Sequence, residues 1–163
     1  MPLSKADVDK LLQNGLALQE RIMIETREEV ESENLGFVYG KEMGEKLLRT
    51  IIERIPVETD MLDQTAYLIR AIACAQIFNE GNKRMATVFA NFRLEQHGFK
   101  LSVANPDDFA SFMERVVGKC PKIPLPPGEL LDRDELYEYV HRWLEKRIVK
   151  LNSDQTTSES RLK

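Results

Sequence analysis

Residues 61–76 read Met-Leu-Asp-Gln-Thr-Ala-Tyr-Leu-Ile-Arg-Ala-Ile-Ala-Cys-Ala-Gln. Ala66, Leu68, Ile69, Ala71, Ile72, Ala73, Cys74 and Ala75 make this run apolar nearly all round. A helix of that kind belongs at the centre of a core, because no face is left to meet water. Asp60 stands where a capping side chain would accept an orphan N–H of the first turn. Everything else in the chain is read as packing around this helix.

Upstream, Ser4 with Asp7 three residues on resembles a capping box. Val8, Leu11, Leu12, Leu16 and Leu18 then recur at helical spacing toward Ile24, and charges take over from Arg27 to Glu33. Leu35-Gly-Phe-Val-Tyr-Gly40 suits a short strand or hairpin edge. A second helix is predicted over 41–54 through Met43, Leu47, Leu48, Ile51 and Ile52, and Pro56 stops it. Downstream, a helix from about Lys83 to Gln96 carries Met85, Val88, Phe89, Phe92 and Leu94 and ends before Gly98. Phe99–Val103 fits a short strand. Asp107 starts an amphipathic helix through Phe109, Phe112, Met113, Val116 and Val117. Pro124, Pro126 and Pro127 stiffen a connector. A last helix is predicted over 132–149, with Leu136, Tyr139, Val140, Trp143 and Leu144 toward the core. The result is an all-α domain over residues 1–150, mainly helical, with one or two short β pieces. The polar tail 151–163 is expected to be disordered.

Length and composition agree with one domain: 163 residues, 42% hydrophobic and 31% charged. The net charge of −4 argues against nonspecific binding to nucleic acid or an anionic membrane, both of which need a basic footprint. No apolar stretch approaches the length of a membrane span, and the N-terminus lacks an apolar signal region. The two cysteines, Cys74 and Cys120, occur without a CxxC or Cys/His cluster, so neither a disulfide framework nor a zinc site is expected. Both are expected to be reduced thiols in a cytoplasmic protein.

The chemistry lies just past the central helix, in Gln76-Ile-Phe-Asn-Glu-Gly-Asn-Lys-Arg84. A tight polar turn here runs into the start of the next helix. Helix N-termini leave N–H groups without partners and carry roughly half a positive charge. Lys83 and Arg84 add full charges beside those amides, which makes an anion site. Gly81 lets the backbone pass close to a ligand. Asn82 can both donate and accept. Glu80, a carboxylate beside a cationic cradle, suits Mg²⁺ bridging protein to phosphate. Phe78 is an apolar anchor for the turn. On spacing alone, a plain turn between helices with solvated Lys83 and Arg84 is the commoner reading.

Taken whole, the segment resembles the Fic/Doc (Fido) signature, His-x-Phe-x-[Asp/Glu]-[Gly/Ala]-Asn-[Gly/Lys]-Arg. Phe78, Glu80, Gly81, Asn82, Lys83 and Arg84 match it, within a resemblance spanning about Leu62 to Val103. Lys83 is similar to Doc, the toxin of a toxin–antitoxin pair. The resemblance implies a helical fold with a β-hairpin flap, here Phe37, Val38 and Tyr39, that clamps a target peptide. It implies ATP and Mg²⁺ as cofactors, with Glu80 on the metal and Gly81, Asn82, Lys83 and Arg84 on the phosphates. Its chemistry moves a phosphoryl or AMP group onto a Ser, Thr or Tyr hydroxyl of a target protein. An antitoxin or regulator protein is a further implied partner. A second arginine found in some members is replaced by Thr87, which weighs against AMP transfer.

Gln76 departs from the pattern at the position of the catalytic histidine. A carboxamide has no proton-accepting equilibrium near neutral pH and cannot serve as general base. The loop is therefore expected to bind nucleotide with turnover abolished or impaired. A noncatalytic module that holds a partner protein in the flap and groove is the alternative reading. Neither His97, some four turns from the loop, nor His141, expected at the surface or a helix interface, is placed to replace the base.

Overall fold

The computed structural model describes residues 3–26, 41–75, 82–103, 105–120 and 134–151. Ser4 Oγ accepts the Asp7 amide at 3.1 Å and donates to the Asp7 carboxylate at 2.9 Å, which starts α1 (Lys5–Thr26). Helix α2 (Lys41–Glu53) follows, and α3 (Met61–Ala75) begins where Asp60 Oδ1 accepts the Asp63 amide at 2.8 Å. Both capping expectations hold.

Helix α3 is buried along nearly its full length, as its all-round apolar character requires. It packs against α2, α4 (Asn82–Gln96), α5 (Pro106–Gly118) and α6 (Glu135–Glu145). Leu48, Ile51 and Ile52 reach it from α2, Met85 and Phe89 lie on α4, Phe112 and Val116 on α5, and Val140 and Leu144 on α6. Tyr67 bridges two of these elements: its hydroxyl donates to the Ile51 carbonyl at 2.6 Å, and burial raises its pKa well above the ordinary phenol value. Helix α1 lies over α2 and α4, and at Gly15 the approach is so close that a Cβ would stand 2.7 Å from the Phe89 ring.

The small sheet comes from distant parts of the chain. β1 (Phe99–Leu101) pairs antiparallel with β2 (Ile148–Lys150), Lys100 opposite Val149. Gly98, at φ +79°, turns the chain out of α4 into β1, and its carbonyl accepts the Leu151 amide at 2.7 Å. This corrects the expected extent of the last helix. It ends at Glu145 and not at Val149, because β-branched Ile148 and Val149 find an open strand edge in β1. The expected flap residues Phe37, Val38 and Tyr39 lie outside the described residues.

Three apolar positions assigned to core faces are exposed: Met43, Val88 and Val117. Each sits at the margin of its helix's apolar stripe, where spacing alone assigns the wrong side. Helix α5 begins at Pro106, one residue before the expected start, with Asn105 Oδ1 accepting the Asp107 amide. Cys74 and Cys120 are joined in a disulfide, their Cα atoms 5.3 Å apart across 46 residues of sequence. The expectation of two free thiols rested on the absence of a local motif. It missed that the C-terminal ends of α3 and α5 converge. Among the described residues no helix is long and apolar enough to cross a membrane.

Candidate functional site

Asn82, Lys83 and Arg84 form the first turn of α4, which begins seven positions in sequence after Ala75, the last residue of buried α3. That turn contains no acidic residue. Asn82 is half-buried, while Lys83 and Arg84 are exposed. Two cations at a helix N-terminus oppose the macrodipole, at a cost of roughly 0.3–1 kcal/mol each near the surface. An anion at a helix N-terminus has the opposite sign of interaction, since it meets the dipole and the positive side chains favourably. The arrangement is one that a bound phosphate would relieve.

A partial counter-charge comes from α5. Lys83 Nζ lies 3.8 Å from Glu114 Oε1, but the side chains are 51% and 73% exposed, so this pair is worth little in water. A phosphate, doubly charged and touching backbone amides as well, would compete well against it. Thr87, where a second arginine would strengthen an AMP-transfer reading, turns inward on its helix and donates to the Lys83 carbonyl at 2.8 Å.

Asn82, Lys83 and Arg84 share the first turn of α4. Gln76, Phe78, Glu80 and Gly81 lie outside the described residues. Among the described residues, no three His, Cys, Asp or Glu side chains converge as a metal site.

The two histidines stand where the sequence reading put them. His97 follows the far end of α4, about 22 Å from Asn82 at 1.5 Å per residue. Burial, then the neighbouring Arg93 charge, lowers its pKa. His141 lies between α3 and α6, its Nε2 3.1 Å from Asp63 Oδ1 and its ring stacked on Tyr137.

Sequence reasoning missed a polar pair inside the core. Arg70, 1% exposed in the middle of α3, is paired with Asp134 at the start of α6. An arginine inside an apolar run was the available signal, because such a charge demands a partner. The partner itself, 64 residues away, was not legible.

The chain matches no family model, and no curated protein or solved structure matches it.

Proposed function

We propose that this chain is a Fic/Doc-like nucleotide-binding protein whose phosphate site is the first turn of α4. The observation that carries the reading is the Asn82-Lys83-Arg84 turn, two cations set against a helix dipole directly after a buried small-residue helix. The donor set fits a polyphosphate: the amides of a helix start, a carboxamide and two fixed positive charges. Arg84 supplies a planar fork for two phosphate oxygens, and Lys83 a point charge. In this reading Glu80 holds Mg²⁺ against ATP, and Gly81 gives the backbone its close approach.

Bound ATP·Mg²⁺ would supply the electrophilic phosphorus for transfer to a target hydroxyl. Lys83 and the absence of a second arginine at Thr87 favour the γ-phosphoryl over AMP. Gln76 cannot take the proton from that hydroxyl, so the protein binds nucleotide with transfer abolished or impaired. Three origins fit Gln76: a natural pseudoenzyme, a protein of altered chemistry, or a form whose parent carries histidine there. A cytoplasmic setting and an antitoxin-like regulator belong to the same reading.

Calorimetric titration with ATP·Mg²⁺ tests it. Binding that weakens in Arg84→Ala supports the site, and an absence of binding by the unsubstituted chain rejects it. Gln76 also favours a second reading, a noncatalytic module that holds a partner protein. Partner capture undiminished in Lys83→Ala and Arg84→Ala would select that one.

A further inference from the structure

Helix α5 is attached on both sides of the junction between α3 and α4. Cys120, just past the α5 C-cap at Lys119, is bonded to Cys74 in the last turn of α3. Glu114, one and a half turns earlier on α5, reaches Lys83 in the first turn of α4. The covalent ring closed by the disulfide contains all of α4, β1 and α5, and with them Asn82, Lys83 and Arg84.

The two cysteines differ in exposure. Cys74 is 5% exposed, whereas Cys120 is only partly buried at the edge of the core. These are the only two cysteines of the chain, so opening the bond leaves no third thiol for reshuffling. A disulfide with one partly exposed cysteine is the kind that exchanges with external thiols.

We propose that Cys74–Cys120 is a reversible disulfide, opened by a dithiol at Cys120 Sγ, whose state sets how firmly α5 and the first turn of α4 are held together. A thiolate of the dithiol attacks Cys120 Sγ and forms a mixed disulfide. The Cys74–Cys120 bond breaks, and Cys74 leaves as a thiolate that takes up a proton. The second thiolate of the dithiol then attacks the dithiol's own sulfur and expels Cys120, which is protonated in turn. The protein gains two electrons and two protons, and the dithiol becomes a disulfide. Once open, the C-terminal end of α5 keeps Met113 and Val116 in the core and its contacts to Tyr139, Arg115 Nε donating to the hydroxyl and Lys119 lying over the ring, but it loses its covalent tie to α3, and the Glu114–Lys83 contact loses that fixed frame. Any effect on nucleotide rests on the function proposed above; the redox step and the loosening do not.

The test compares air-oxidised protein with protein treated by a small dithiol or a CxxC oxidoreductase, both in native buffer. Oxidised protein is expected to show no alkylatable thiol after denaturation, and the dithiol to release two from the folded protein. Hydrogen exchange over the first two turns of α4 and the end of α5 should then rise about tenfold, with the α1–α2 contact unchanged. Cys120→Ser should exchange at the reduced rate whatever the reductant; if it does not fold, the unsubstituted chain still decides the matter. Free thiols in the oxidised sample, release only after denaturation, or equal exchange in both states would each overturn the proposal. Titration with ATP·Mg²⁺ separates it from the reading it extends. Roughly fivefold weaker binding on reduction supports the coupling. Equal binding in both states refutes the coupling alone, and no binding in either state refutes the nucleotide site while leaving the exchange result standing.

Discussion

Arg70 Nε donates to both carboxylate oxygens of Asp134 at 3.2 Å, and the same carboxylate accepts the Tyr137 amide at 2.8 Å as the N-cap of α6. One side chain therefore does two jobs: it neutralises the one cation at the centre of α3 and starts the helix that covers it. Arg70 Nη1 has no hydrogen-bond partner among the described residues, so the guanidinium has little other compensation for its burial. Removing the carboxylate would strand a buried charge, which in fully buried pairs costs 3–5 kcal/mol. Asp134 is 38% exposed, so water can reach the site and the lower end applies. Asp134→Ala is expected to lose about 3 kcal/mol in urea unfolding. Asp134→Asn, which keeps a capping oxygen, should lose less. If both stay within about 1 kcal/mol of the parent, the pair is not what holds α6 on α3.

The same carboxylate gives stability a defined pH dependence. Burial alone would raise the Asp134 pKa, but the Arg70 hydrogen bond, the Tyr137 amide and the Arg70 charge outweigh it and hold the pKa below the ordinary value. The folded form thus prefers the ionised group more than the unfolded chain does. Its contribution is fully present above about pH 4, the unfolded value, and fades as pH falls through the folded one. Urea midpoints measured from pH 6 to pH 3 should drop more steeply in the parent than in Asp134→Ala. Parallel curves would show that other carboxylates dominate acid unfolding.

Gly15 is a matter of space. A Cβ there would stand 2.7 Å from Phe89 Cε2 and Cζ and 3.3 Å from Leu48 Cδ2. Alanine gains about 1 kcal/mol in helix propensity over glycine. Pushing a buried ring aside costs about 1–3 kcal/mol. Gly15→Ala should therefore be destabilising on balance and lower the melting temperature by a few degrees. A rise in melting temperature would mean that Phe89 yields freely and α1 is loosely seated on α4.

How much of this was visible beforehand follows from the range of each interaction. The central helix was legible at 66–75 because all-round apolarity needs no knowledge of neighbours. The caps at Ser4 and Asp60 are local as well, and the cationic first turn at 82–84 is a property of three adjacent residues. The β1–β2 pair, the Arg70–Asp134 pair and the Cys74–Cys120 bond each depend on which distant segments meet. Tertiary contact decided them. Ile148 and Val149 could extend a helix or enter a strand, and only Phe99–Leu101 alongside settles it.

Lys83 and Arg84 should show opposite signs in two measurements. In the absence of ligand each opposes the α4 dipole, so replacing either by alanine should leave stability unchanged or raise it by up to about 1 kcal/mol. With ATP·Mg²⁺ present the same change removes a charge-assisted hydrogen bond worth about 1.5–3 kcal/mol, hence roughly 10- to 100-fold in affinity. Glu114→Gln, which removes the competing carboxylate from Lys83, should tighten binding slightly. Thermal melts with and without nucleotide read all three. A stability loss in Arg84→Ala with no change in affinity would assign that arginine to the fold and reject its role in the site.

Restoring the base separates binding from turnover. With histidine at position 76, the residue that follows Ala75 in sequence, a proton acceptor stands at the position the resemblance assigns to it. General-base catalysis typically contributes 10²–10⁴-fold, so Gln76→His should raise transfer by about that factor with nucleotide affinity nearly unchanged. Incubation of the variant and the parent with ATP labelled in the α or γ phosphate, in the presence of candidate target proteins, reads the outcome directly. Label from the γ position would identify phosphoryl transfer, consistent with Lys83, and label from the α position AMP transfer. Equal, negligible labelling by both proteins despite retained ATP binding would remove the transferase reading. The α4 turn would then stand as a nucleotide-responsive element in a protein whose work is to hold a partner.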